Sequence, residues 1–183
     1  MTTSTRLRVL VFGFGAVLAS ALAAPAAEAN GPPWGAFFNG PTTSCKQTKG
    51  TINRNARRVV AYYTLAFNFG LPELAVKLFV GVDENGEKLY IQHNPLAADG
   101  PQAFIDFVNL FKGELFPELN VNIVRVIAEC DMVVTHSHLT LFPGDRGSAV
   151  VDIFRLDRHG KIVEHWDVIQ AIPETSANDN GMF

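Results

Sequence analysis

A chain of 183 residues with 48% hydrophobic and 18% charged side chains has the size of one folded domain, which argues against repeat arrays and large multidomain enzymes. Its formal charge of −3 offers no general attraction to phosphate backbones or anionic lipid, so no nucleic-acid partner is expected. The apolar share is raised by residues 1–29, which read as an export signal: Arg6 and Arg8, then the apolar run Val9 to Ala24, then Ala27-Glu28-Ala29 as a cleavage site.

That run is shorter than the ~20 residues a bilayer span needs. Cleavage near Ala29, a secreted or periplasmic location and no stable membrane anchor after cleavage are therefore expected; an uncleaved anchor is the alternative. The mature chain would have about 154 residues and a charge of about −4. Its two thiols, Cys45 and Cys130, would then meet an oxidising compartment. If paired they close a loop of about 85 residues, worth up to ~4 to 5 kcal/mol in the chain-entropy model. Two buried unpaired thiols are the other reading, because sequence does not place them in space.

In chain order, residues 30–50 are crowded with Gly and Pro and read as an irregular arm. Residues 51–173 form the folded domain. Asn53 is the expected cap of a first helix with Val59, Tyr63, Ala66 and Phe67 at helical spacing, stopped by Gly70. Pro72 opens a short second helix with Leu74, Leu78 and Phe79 as its expected buried stripe, and Gly81 ends it. Asn85-Gly86 is a turn signal before a short strand, Lys88 to His93. Asp99 and Gln102 have capping-box spacing ahead of a helix whose apolar face is Phe104, Phe107, Val108 and Phe111.

From Asn122 the period changes to two. Strands are expected near 122–129, 132–142, 148–155 and 161–171, the last following a turn at residues 157–160. Helices followed by a strand meander indicate an α+β domain with helices on one face of a curved antiparallel sheet. Residues 174–183 are polar and expected to be a flexible tail.

Four of the five His lie on predicted strands. On the last strand Val163, His165, Asp167 and Ile169 share one face and Ile162, Glu164, Trp166 and Val168 the other. If the first face is concave, an imidazole and a carboxylate meet in an apolar setting suited to acid-base work; if it is solvated, the pair decorates a surface. His136 and His138 also share a face. They could hold a metal with His93 or His165, but no carboxylate completes a ligand set, so structural or substrate-binding roles are preferred and no metal is expected. His93 and Asn94 stand in Gln92-His93-Asn94-Pro95, where they brace a turn or rim a pocket. His159 belongs to a turn.

Gln92-His93-Asn94-Pro95, Asp99-Gly100 before a Phe-rich helix, Asp152-Ile153-Phe154-Arg155, and Gly160 through Asp167 together resemble the SnoaL-like polyketide cyclase group of the nuclear transport factor 2-like superfamily, over roughly Asn53 to Ile172. The resemblance implies a cone-shaped α+β barrel, a bent sheet wrapped around helices with a deep apolar pocket. It also implies cofactor-free aldol-type ring closure, with Asp167 as the acid-base group and His165 beside it. His93, Asn94, His136 and His138 are the candidate substrate-binding residues from facing and composition. A hydrophobic carbonyl compound is the expected substrate, a homodimer the expected assembly. Isomerisation or dehydration by the same groups, and a non-catalytic binding or dimerisation module, are the alternatives.

Overall fold

The computed structural model describes residues 47–183. The expected export signal, most of the arm, and Cys45 with its suggested pairing to Cys130 lie outside the described residues. Among the described residues no helix is long and apolar enough to cross a membrane.

Helix α1 spans Lys49–Tyr63. Its cap is Thr48, whose hydroxyl accepts from the Thr51 amide at 3.2 Å, so the helix begins upstream of Asn53 and that residue lies inside it. A π-helical turn, Thr64–Asn68, continues α1. Gly70 then takes the left-handed conformation expected of a helix stop, with φ 64°. Helix α2 is Pro72–Phe79, and the face it buries is Pro72, Ala75 and Val76. Leu74 and Leu78 are exposed: the helix is so short that one turn of rotation decides its face, and α1 and α3 set that rotation. Helix α3 is Pro101–Val108, again continued by a π-helical segment, Asn109–Leu115. Its cap is Gly100 at φ 93° with no side-chain bond. The capping box does not form, because Asp99 accepts from the Gln92 amide at 2.8 Å and Gln102 bonds Asp106 instead.

Strands β1 (Gly81–Val82) and β2 (Lys88–Leu89) make a hairpin around Asn85-Gly86. The strand expected over Lys88 to His93 is thus divided, its second part being β3 (Ile91–Gln92). Strands β4 (Asn120–Glu129), β5 (Met132–Thr140), β6 (Ser148–Leu156) and β7 (Ile162–Ala171) follow the period-two runs closely. The main sheet has the order β3-β7-β6-β5-β4. It is antiparallel except at β3, which runs parallel to β7, and it is open, with β3 and β4 as edges. The sheet is therefore mixed and unclosed: the α+β arrangement is the expected one, and the parallel pairing of β3 with β7 is its departure from an all-antiparallel sheet.

Helix α1 lies across the concave face. Tyr62 and Tyr63 reach Phe154 of β6 at ring separations of 6.3 and 5.3 Å, and Val59, Val133, Leu156 and Ile162 close the core around them. Aromatic groups of this size bury much area each and so dominate such a core. These rings pack at the concave centre. Two grooves lie elsewhere, one of about 600 Å3 between α1 and β4 and one of about 460 Å3 between the β1–β2 hairpin and the turn at Asp157–His159.

Candidate active site

Strand pairing brings the polar residues into two neighbouring rows on the concave face. Thr135, Asp152 and Asp167 stand opposite one another on β5, β6 and β7; Val133, Phe154, His165 and Gln92 form the adjacent row across β5, β6, β7 and β3. Register alone thus sets two carboxylates side by side with an imidazole one step along.

Asp152 is 1% and His165 4% exposed. One Asp152 oxygen, Oδ1, accepts from the Tyr63 hydroxyl at 2.5 Å and faces His165 Nε2 at 3.2 Å. The other accepts from Thr135 Oγ1 at 3.0 Å. On the far side of the imidazole, Nδ1 lies 3.0 Å from Gln92 Oε1. That oxygen also accepts the Asn94 amide at 3.0 Å, which identifies it as an acceptor and makes Nδ1 the donor. Nε2 and Asp152 Oδ1 therefore share a proton; otherwise two lone pairs would face each other at 3.2 Å. Burial, and then the Asp152 charge, push the Tyr63 hydroxyl well above its ordinary pKa, so it stays a neutral donor to Asp152.

Asp167 is half-buried at the open end of its row. Both of its oxygens accept from Asn94 Nδ2, at 2.9 and 2.8 Å. The site thus has a buried half, Tyr63-Asp152-His165, and an accessible half, Asn94-Asp167. One donor atom from each of Asp152, His165 and Asp167 lies within 4.8 Å of the others, making this the only trio of imidazole and carboxylate groups spaced for a metal ion among the described residues. No His-x-His pair takes part in it.

Residues 81–165 match the SnoaL-like domain. The stretch, just under half of the chain, carries β1 through His165 and ends two residues before Asp167. Solved structures extend the likeness beyond it. A proposed SnoaL-like polyketide cyclase from Jannaschia sp. CCS1 is 21% identical, covers 68% of this chain and 90% of its own, and superposes with a TM-score of 0.52. Bal32a, from a soil-derived mobile gene cassette, gives 20% identity, 65% and 91% coverage and a TM-score of 0.51. A proposed isomerase of the SnoaL-like family from Agrobacterium tumefaciens str. C58 gives 14%, 67%, 99% and 0.50. These likenesses establish the fold as the α+β cone of the SnoaL-like proteins. No curated protein matches the sequence.

Within this SnoaL-like frame the expected site residues separate. His165, Asp167 and Asn94 converge. His93 points to the outer face, where Nε2 bonds Glu164 Oε1 at 2.8 Å and the ring stacks on Trp166 at 4.7 Å. His136 and His138 also face outward, one beside Arg125 at 2.7 Å and the other on the Arg146 carbonyl at 2.8 Å. The ring of Phe183, at the end of the expected flexible tail, packs against both. His136 and His138 do not line the site, because each is offset by an odd number of residues from the inward Thr135 on β5, and His93, just past the end of β3, turns to Glu164. Tyr63, Gln92, Thr135 and Asp152 join the site beyond the residues that facing and composition select. Asp152 carried a signal, a lone carboxylate inside the apolar run Ala149 to Phe154; Tyr63 had none beyond its place on the buried stripe of α1.

Proposed function

We propose that this SnoaL-like protein catalyses cofactor-free acid-base chemistry on a hydrophobic carbonyl compound, of the cyclase or isomerase kind. The observation that carries the reading is the divided site: a carboxylate within reach of solvent, held by Asn94, beside a buried imidazole that shares a proton with a second carboxylate. Asp167 takes a proton from a carbon next to the carbonyl, leaving an enolate. The proton then returns from Asp167 to the substrate, at another carbon in an isomerisation or at the new alkoxide in an aldol ring closure. His165 is a positioning residue, held by Gln92 and Asp152 beside the Asp167 carboxylate. Proton transfer by one placed group contributes about 10²- to 10⁴-fold.

The test uses 2-tetralone, a bicyclic ketone whose acidic C–H exchanges with D2O. Exchange catalysed by the protein, followed by NMR, should fall at least about 100-fold in Asp167→Asn. An unchanged rate in the variant would sink the assignment. Binding of 2-tetralone without exchange by the wild type would favour the binding-module reading.

A further inference from the structure

Strand β4 is an edge of the main sheet along ten residues, and its two halves are finished differently. In the first half the Val121 amide donates to Asn68 Oδ1 at 2.8 Å and the Val121 carbonyl accepts from Asn68 Nδ2 at 3.0 Å, so one side chain stands in for a neighbouring strand. A register shift between Ile123 and Arg125 follows. Covers and bulges of this kind keep the edge of a native sheet from pairing with another chain.

The second half has neither device. Glu129 and Met132 close the two-residue turn into β5, so Arg125, Ile127 and Glu129 direct their backbone groups at β5, and Val126 and Ala128 direct theirs off the sheet. No described residue pairs with that side of the strand. The side chains here are apolar yet in water: Val124 and Val126 are exposed, and Ile127 is 66% exposed. The groove between α1 and β4 runs along the same edge, lined by Val60, Leu65, Phe69 and Val126, and Phe69 is exposed as well.

The charges on this half are arranged symmetrically about Ile127. Arg125 precedes it by two positions, Glu129 follows it by two, and both are exposed on the outer face with it. Antiparallel pairing of two such strands about Ile127 sets Arg125 opposite Glu129 of the partner subunit, twice by symmetry, and Ile127 opposite its own copy. It also sets Val126 opposite Ala128 of the partner subunit, where the outward backbone groups of both strands meet. Antiparallel registers centred on Arg125 or Glu129, and the parallel in-register one, bring like charges together and are disfavoured.

We propose that the second half of β4 is the contact surface for a second copy of this chain, joined by antiparallel pairing of the two β4 strands about a two-fold axis through Ile127. The two sheets become one continuous sheet, and the apolar grooves beside α1 come to lie on the same side of it, next to the axis. The acid-base site, on β5 to β7 and β3, is left open on each protomer.

The test is the dimer Kd of the full chain, measured by sedimentation for the wild type, Arg125→Glu, Glu129→Arg, the double variant with the two charges exchanged, and Ile127→Lys. All three positions are exposed, so the variants keep the monomer fold. Each single charge variant places like charges opposite each other and should raise Kd at least about tenfold. The exchanged pair restores opposite charges across the axis and should return Kd to within about threefold of the wild type. That rescue is diagnostic, because Arg125 and Glu129 lie four positions apart on one strand and do not meet within a protomer. Ile127→Lys, which sets two ammonium groups at the axis, should be monomeric. A wild type that stays monomeric up to about 1 mM would overturn the proposal. So would a dimer whose Kd is unchanged in Arg125→Glu, or an exchanged pair that dimerises no better than the single variants.

Discussion

The two faces of the sheet each carry a histidine paired with a carboxylate, and the pairs differ in almost everything but composition. On the inner face His165 and Asp152 have side chains 5% and 1% exposed, 3.2 Å apart, with every polar atom of the pair given a partner. On the outer face His93 and Glu164 are 40% and 14% exposed, 2.8 Å apart, and Glu164 also takes Arg155 at 2.5 Å. The shorter contact is the weaker one energetically, since water competes for it and long side chains must be ordered to make it. The inner pair has no such competitor, so removing one partner strands the other in a medium that tolerates no lone charge. Burial, rather than distance, separates a component of the site from a surface contact.

The largest expected effect comes from breaking the inner pair. Asp152→Ala leaves His165 Nε2 and the hydroxyls of Tyr63 and Thr135 without their acceptor, and should cost about 3–5 kcal/mol in chemical denaturation. A loss within ~1 kcal/mol would mean that the two faces do not differ. Next, Thr135→Val keeps the shape and removes one donor to Asp152, with an expected loss of about 1 to 2 kcal/mol in the same assay. On the outer face, His93→Ala should change stability by no more than ~1 kcal/mol and leave 2-tetralone exchange at the wild-type rate; a large loss of exchange would place His93 in the site after all.

The smallest effect is a pH dependence. Burial acts to raise the pKa of Glu164, but hydrogen bonds from His93 and Arg155 and the Arg155 charge outweigh it and hold the group below 4.5. A carboxyl depressed on folding contributes stability that is fully present above its unfolded pKa and disappears as pH falls through the folded one. Glu164→Gln should therefore lower stability slightly at neutral pH and flatten the decline below about pH 4.5. A variant whose acid limb matches the wild type would show that the outer pair contributes nothing measurable.

Much of the fold is legible in the residues. The four long strands follow alternation, because β-branched runs bounded by turn residues leave the backbone few other ways to satisfy its hydrogen bonds. Gly86 and Gly160, at φ 83° and 73°, stand at turns that a side chain would strain. Legibility fails where elements are short. The face of α2, the cap of α3 and the break between β2 and β3 depend on neighbours far along the chain. The Asp99 cap gave way to a bond with Gln92, an outcome that local spacing does not contain.

The site divides the same way. Alternation by itself determined that His165 and Asp167 point one way and Glu164 and Trp166 the other, since the side-chain period of a strand is two. Only the tertiary structure decided which of those faces is concave. Across β6 and β7 the pairing that sets Asp152 opposite Asp167 is fixed by turn length and a register shift at Arg155/Leu156. Tyr63 meets Asp152 across 89 positions of sequence because α1 crosses the sheet at that row. Residue types and spacing carry the local conformational preference; burial and partnership, which give these groups their chemistry, arise when distant segments exclude water together.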